Sequence, residues 1–137
     1  MMRADRALWV TLGVLGLVIA AFSLRQSGPS GLPWLPPCFF HHWTGLDCAG
    51  CGMTRAAHAA LNGEIAKAFR FNPMGMILLP LAVFALALEA IGWVRGKPLP
   101  CRLNLGAKTG WVLVGVILSF WLLRNIPAWP FTLLAPP

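Results

Sequence analysis

The amino-acid sequence predicts an all-α integral membrane protein with three transmembrane helices and one amphipathic interfacial helix, which follows a cysteine-rich loop. Hydrophobic residues make up 58% of the 137 residues and charged residues only 11%, whereas soluble domains contain about 25% charged residues. The mean hydropathy is +0.70. Trp9, Trp93 and Trp111 stand at ends of three apolar runs, on one side of a three-helix topology, as an aromatic belt requires.

We predict one membrane domain over residues 1–137. Its transmembrane helices cover about residues 8–24, 73–94 and 109–126. At about 1.5 Å per residue, runs of this length cross or nearly cross the hydrocarbon core of a bilayer. The arginines before the first run resemble those of a signal peptide. No small-x-small cleavage site follows Phe22, however, so we expect a retained helix.

Three segments connect or follow these helices. Residues 25–53 form the cysteine-rich loop, whose many glycines and prolines prevent regular structure in its first half. Over residues 54–71, apolar positions recur at steps of three and four, which predicts one amphipathic helix with Thr54 as its N-cap. This helix is too short and too polar to span, so we expect it to lie at the interface. Residues 95–108 form a short basic loop.

The net charge of +7 does not indicate nucleic-acid binding, because the basic residues are scattered at the ends of apolar runs instead of sharing one face. The lipid bilayer is the expected partner, together with other membrane protein subunits. Six basic residues lie on one side in short segments, and five lie on the other side in longer ones. By the positive-inside rule, the N-terminus is cytoplasmic and the cysteine-rich loop extracytoplasmic. The first group is Arg3, Arg6, Arg95, Lys97, Arg102 and Lys108; the second is Arg25, Arg55, Lys67, Arg70 and Arg124.

The chemistry of the chain is concentrated in the turn from Cys48 to Gly52, with the sequence Cys-Ala-Gly-Cys-Gly. Two thiolates three positions apart can bind one soft metal ion, and a glycine after the second cysteine tolerates a left-handed backbone. Cys38 offers a third thiolate. A histidine can complete a tetrahedral zinc site, the candidates being His58, His41 and His42.

Two other interpretations of the cysteines remain open. A structural disulfide can staple the loop, with Cys48 or Cys51 paired to Cys38 more readily than to each other. Alternatively, the turn can support thiol redox chemistry, because Cys51 precedes a helix whose N-terminus stabilises a thiolate. No other catalytic constellation is evident, since the four carboxylates are dispersed and no serine lies in a nucleophile motif. We therefore do not expect an enzyme.

One segment resembles a known family. It contains Thr44-Gly45-x-x-Cys48-x-x-Cys51-Gly52-x-Thr54-Arg55 and continues to Asn72-Pro73. Several fixed spacings match together, and the segment resembles the bacterial domain-of-unknown-function 2752 family over roughly residues 38–94. The resemblance implies a small protein of the bacterial inner membrane, in which Thr44, Gly45, Gly52, Thr54, Arg55, Asn72 and Pro73 are structural motif residues. It implies no activity.

The function that these observations favour is non-enzymatic. We expect a small accessory or scaffold subunit whose cysteine-rich loop is stapled and docks a membrane partner. The alternative is a membrane thiol-redox or metal-handling protein, for zinc or copper, that uses Cys48 and Cys51 directly.

Overall fold

The computed structural model describes residues 3–28, 36–97 and 106–136, and everything it describes is helical or irregular, with no strand. Within these ranges the chain forms six α-helices and one short 3-10 helix. This confirms the predicted all-α fold class. The helices are α1 (Arg3–Gln26), α2 (Phe39–Thr44), α3 (Met53–Leu61), α4 (Ile65–Phe71), α5 (Pro73–Arg95) and α6 (Ala107–Arg124), and the 3-10 helix is Phe131–Leu133.

Three of these helices, α1, α5 and α6, are long and apolar enough to cross a membrane. Helices of 23 or 24 residues extend about 35 Å, and the 18 residues of α6 extend about 27 Å, close to the thickness of the hydrocarbon core. Almost none of their apolar surface is buried inside the chain. The outward side chains are therefore available to lipid or to other membrane helices, as expected of a multi-pass membrane protein.

The second apolar helix begins at Pro73, directly after Asn72. Pro73 is the first residue of α5, where a missing N–H costs nothing because that group has no partner within the helix. The Asn72 side chain caps the helix, since its Oδ1 accepts a hydrogen bond from the Gly75 backbone N–H at 2.8 Å. Asn72 is fully buried.

The single helix predicted over residues 54–71 is wrong: the structure has two helices, α3 and α4, separated at Asn62, Gly63 and Glu64. Gly63 has a φ of 81°. The Glu64 N–H donates to the Ala59 carbonyl at 2.9 Å, and the Gly63 N–H donates to the Ala60 carbonyl at 3.0 Å. This is a Schellman motif, which ends a helix at a left-handed residue. Asn62-Gly63 is a local turn signal, and the prediction from helical periodicity did not take it into account.

Loop and short helices gather at one end of the three long helices. α1 packs against α5, and at the far end the Arg6 Nη1 donates to the Trp93 carbonyl at 3.2 Å. At the near end, the rings of Phe40 in α2 and Trp121 in α6 meet edge to face, with centroids 5.6 Å apart. The cysteine turn lies at this near end, between α2, α3 and the end of α6.

Candidate metal centre

A tight turn carries the two closely spaced cysteines into α3. The Cys51 N–H donates to the Cys48 carbonyl at 3.1 Å, and the Met53 N–H donates to the Gly50 carbonyl at 3.0 Å. Gly52 follows with a φ of 80°, so the predicted left-handed glycine is observed. A Cβ atom at Gly52 would also lie 2.6 Å from the Phe71 carbonyl oxygen. Both the backbone angle and this close approach therefore require glycine.

Three sulfur atoms lie close together at this turn. The Cys48 Sγ lies 3.4 Å from the Cys38 Sγ and 3.2 Å from the Cys51 Sγ, and all three lie within 4.8 Å of one another. The Cys51 Sγ also accepts a hydrogen bond from the Cys48 backbone N–H at 3.1 Å. The three cysteines are free, and their sulfur–sulfur distances exceed the roughly 2.05 Å of a disulfide.

The thiols of this cluster differ in acidity. A hydrogen bond from the His41 backbone lowers the pKa of Cys38, because it stabilises the thiolate more than partial burial destabilises it. Burial acts in the opposite direction on Cys51 and, with its hydrogen bond to Cys48, raises the pKa of that thiol to about 12. Cys38 therefore ionises more readily than Cys51 when no cation is bound.

The guanidinium of Arg124 holds the turn from the end of α6. Its Nη1 donates to the Cys48 carbonyl at 3.1 Å and to the Ala49 carbonyl at 3.2 Å, and its Nη2 donates to the Cys51 carbonyl at 3.2 Å. The guanidinium carbon lies 5.0 Å from the centroid of the Phe120 ring. Arg124 is only 2% exposed. One buried cation thus contacts three of the four residues between Cys48 and Cys51.

Two asparagines support the same loop. The Asn72 Nδ2 donates to the Ala49 carbonyl at 2.9 Å and to the Cys51 carbonyl at 3.2 Å. Asn125 pairs with the backbone of Asp47 in both directions, because its Oδ1 accepts from the Asp47 N–H and its Nδ2 donates to the Asp47 carbonyl, each at 2.8 Å. The loop is therefore positioned by side chains from the start of α5 and the end of α6.

A second set of possible ligands adjoins the three sulfurs. His41, Asp47 and Cys51 offer ligand atoms that also lie within 4.8 Å of one another. The His41 Nδ1 is 3.4 Å from the Asp47 Oδ1 and 3.3 Å from the Leu46 carbonyl oxygen. A cavity of about 360 Å³ opens beside this set. It is lined by His41, Asp47, Cys38 and Cys51 together with Thr54 and Arg55.

Among the predicted ligands, His58 is not part of the centre. Its Nε2 lies 2.8 Å from the Ser27 carbonyl oxygen at the end of α1, and neither ligand set of the described residues includes it. His42 is exposed and is likewise in neither set. The structure therefore favours His41 over the other two histidines. The reason is positional, because α2 carries His41 toward Asp47 while α3 carries His58 toward α1.

The other motif residues have mainly structural roles. The Thr44 Oγ1 donates to the Phe40 carbonyl at 2.6 Å, and Gly45 ends α2 with a φ of 72°. The predicted cap at Thr54 is wrong, because α3 begins at Met53 with Gly52 as its N-cap and no side-chain cap. Arg55 stacks on the ring of Phe71, with its guanidinium carbon 5.1 Å from the ring centroid.

The sequence did not indicate three residues of the centre, namely Asp47, Arg124 and Asn125. Asp47 precedes the turn directly, and its position was the available signal. Arg124 and Asn125 follow α6, more than 70 residues from the turn. An arginine and an asparagine at this position are also typical of the end of a membrane helix. No local pattern therefore indicated that they contact the cysteine turn instead of lipid headgroups.

Part of the chain matches a known family model. Residues 38–86 match the profile of the family described as "Protein of unknown function (DUF2752)". The match covers α2, the cysteine turn, α3, α4 and the first part of α5, and it ends eight residues before the predicted limit. No curated protein and no solved structure matches the chain. Arg124 and Asn125 lie outside the matched segment, although they contact its turn.

Selective alkylation tests the difference in acidity within the cluster. In reduced, metal-free protein, we expect iodoacetamide to modify Cys38 faster than Cys51 by about tenfold or more, because the thiolate is the nucleophile and Cys51 is only 8% exposed. The rate at Cys38 should rise at a lower pH than that of an unperturbed cysteine, whereas Cys51 should stay unreactive through mildly alkaline pH. Chymotryptic peptides separate the two sites for mass spectrometry. Equal rates would contradict the described environments.

Proposed function

We propose that the cysteine-rich loop of this chain, whose residues 38–86 match the DUF2752 family of proteins of unknown function, binds a soft metal ion. The ion is zinc in the first place, and its ligands are Cys38, Cys48 and Cys51. The single observation that carries the proposal is the convergence of three sulfurs from two separate parts of the loop. Three thiolates are a donor set typical of zinc and of copper(I).

The spacing of the sulfurs suits an ion better than a direct bond. Two sulfurs on one tetrahedral zinc ion lie about 3.8 Å apart, since each zinc–sulfur bond is about 2.3 Å long. The observed contacts of 3.2 and 3.4 Å would lengthen by a few tenths of an ångström to reach that value. A disulfide would instead require an approach of more than 1 Å. Arg124 and Asn72 act on carbonyl oxygens and leave the sulfurs free to bind.

Bound metal would serve the non-enzymatic role that the sequence favours, because it would staple α2 to the turn that begins α3. We propose an accessory or scaffold subunit whose metal-stapled loop docks a membrane partner. Two observations support docking. The spans α1, α5 and α6 bury almost none of their apolar surface within the chain, and beside the loop Phe39 and Trp43 of α2 are 71% and 81% exposed.

Thiol–disulfide exchange is the second candidate function. The observation that favours it is the central position of Cys48, whose sulfur contacts both of the other thiols. A disulfide could therefore pass between the Cys38–Cys48 and Cys48–Cys51 pairs through one shared atom. The two functions differ in what is isolated from the membrane: a metal complex of three thiolates or a protein with one disulfide.

Metal content separates these candidates. We expect the purified chain to contain tightly bound zinc, and Cys48→Ser to lose one equivalent, measured by plasma mass spectrometry on tag-free protein. Zinc should raise the thermal unfolding midpoint, because a ligand at a thousand times its Kd stabilises the folded state by about 4 kcal/mol. Cys101→Ser is the matched control, because Cys101 lies in the basic loop of residues 95–108, far along the sequence from the cysteine turn. Metal-free protein with a disulfide among the three cysteines would refute the proposal.

We call the Arg124 guanidinium, with its hydrogen bonds to three carbonyl groups of the turn, the clamp. Weakening the clamp should lower the metal affinity without removing a ligand. Substituting the outer partners of a metal site typically costs 10–100-fold in affinity, and we expect a loss of that order for Arg124→Lys, which cannot reach three carbonyls with a planar fork. Competition with a chromophoric chelator measures the change. Arg25→Lys, at the exposed end of α1, is the matched control. An unchanged affinity in Arg124→Lys would show that the turn holds its shape without the clamp.

We further propose that the chain lies in the bacterial inner membrane with its cysteine-rich loop outside the cytoplasm. Arg124 supports this orientation, because a cation bound to loop carbonyls is not available to retain its end of α6 in the cytoplasm. We expect a membrane-impermeant maleimide to label the reduced, metal-stripped loop cysteines in spheroplasts, and Cys101 only after lysis. The reverse labelling pattern would overturn the orientation.

A further inference from the structure

We propose that a second divalent cation binds at His41, Asp47 and Cys51, sharing the Cys51 thiolate with the ion held by the three cysteines. This inference rests on the proposed metal-binding function and deepens it from one ion to a thiolate-bridged pair. Zinc is again the first candidate, since the set combines one imidazole nitrogen, one carboxylate oxygen and one sulfur.

The geometry of the second set is suitable for an ion. Its three ligand atoms lie within 4.8 Å of one another. Any three such atoms lie within about 2.8 Å of a common centre, and zinc ligands lie at roughly 2.0–2.3 Å. The His41 nitrogen and the Asp47 oxygen therefore need to close by about 0.8 Å or less, and the Cys51 sulfur by about 0.5 Å or less. His41 is the most exposed of the three, with 56% of its side chain accessible, so it is free to make this adjustment.

The number of donors exceeds what one ion can use. A structural zinc ion binds four ligands, whereas Cys38, Cys48, Cys51, His41 and Asp47 supply five in two overlapping sets. The four ionisable ligands, three thiolates and one carboxylate, carry four negative charges when ionised. Two divalent cations neutralise them, and one leaves a partly desolvated cluster with two excess charges. Cys51 is the shared member, and it is also the most buried of the three cysteines.

The second set opens onto the cavity of about 360 Å³, and Cys48 does not line that cavity. An ion at His41, Asp47 and Cys51 would have three protein ligands and a fourth position facing this space. That arrangement is typical of metal sites that accept water or a small ligand, as opposed to closed structural sites. Arg55 lines the same cavity, so an anion is the favoured ligand for the open position.

The backbone around Asp47 is fixed before any metal binds. Both its N–H and its carbonyl are paired with the Asn125 side chain at 2.8 Å. Metal binding by the His41 Nδ1 would replace its present contacts with Asp47 Oδ1 and the Leu46 carbonyl, and the imidazole proton would then reside on Nε2. The Asp47 carboxylate would exchange its contact with His41 for a bond to the ion, while the backbone of Asp47 stays in place.

The test is metal stoichiometry of the full-length, tag-free chain, reduced and purified without oxygen in a Cys101→Ser background. The protein is titrated with zinc or cobalt(II) against a metal buffer. We expect two equivalents in the parent protein and one each in His41→Ala, Asp47→Asn and Cys48→Ser. Cys51→Ser should lose both ions or bind them far more weakly. His42→Ala, a change of the neighbouring exposed histidine, is the matched control and should keep two equivalents.

Cobalt(II) spectra supply an independent readout. The first equivalent should show intense sulfur-to-metal charge transfer from three thiolates, and the second a weaker increment from one. The electron paramagnetic resonance signal per cobalt should fall as the second equivalent binds, because a bridging thiolate couples the two ions magnetically. Helix content measured by circular dichroism identifies any variant that fails to fold, and Asp47→Asn, which keeps the side-chain shape, guards against that outcome for His41→Ala.

Each alternative result has a distinct meaning. Saturation at one equivalent that Cys48→Ser abolishes, with His41→Ala or Asp47→Asn only lowering its affinity, would assign those residues as ligands of a single ion. It would overturn this inference and leave the proposed function standing. Two equivalents that both survive His41→Ala and Asp47→Asn would also overturn it. Absence of any stoichiometric metal would refute both proposals.

Discussion

The buried guanidinium of Arg124 is the contact on which the cysteine-rich loop depends. It donates to three carbonyl oxygens, of Cys48, Ala49 and Cys51, and each hydrogen bond to a charged group contributes about 1.5–3 kcal/mol. Burying an ion costs several kcal/mol, so these bonds together offset the desolvation. Without Arg124, each of these carbonyls would keep a single partner, the Cys51 N–H for Cys48 and the Asn72 side chain for Ala49 and Cys51, in a place where regular secondary structure cannot supply a second one.

The clamp also explains how a small membrane protein can keep an irregular loop in one shape. The fully buried side chains are few, and Arg124 and Asn72 are the largest among the described residues. Both donate to the same carbonyls at Ala49 and Cys51, which use both oxygen lone pairs. The hydrogen bonds of these buried polar side chains thus take the place of the hydrophobic core that a soluble domain of similar length would have. The cost is that each partner is needed, because a half-satisfied polar network is worse than an apolar one.

The sequence predicted those features that local chemistry determines. Apolar run length predicted three helices long enough to span a membrane, and the glycine after Cys51 predicted the left-handed backbone at Gly52. Two of the failures concern local signals, and the others depend on distant parts of the chain. The apolar periodicity gave no sign of the helix break at Gly63, and Thr54 is not an N-cap because α3 already begins at Met53. The His58 side chain contacts the Ser27 carbonyl at the end of α1 and not the cysteines. Arg124 and Asn125 were unpredictable from local pattern, since their partners are more than 70 residues away.

The position of the clamp couples the loop to the membrane-spanning part of the chain. Arg124 is the last residue of α6, so a displacement of this helix along its axis moves the guanidinium relative to three carbonyls that flank two metal-ligand candidates. Linkage makes the effect reciprocal: if docking of α6 favours the loop shape that binds a cation, then a bound cation favours docking of α6 by the same free energy. A partner helix that packs against the exposed face of α6 would therefore change metal affinity without touching the loop. Conversely, loss of the metal would weaken the docking of such a partner on α6. The segment that matches the family model, residues 38–86, contains the candidate ligands, whereas Arg124 lies in the third long helix outside it.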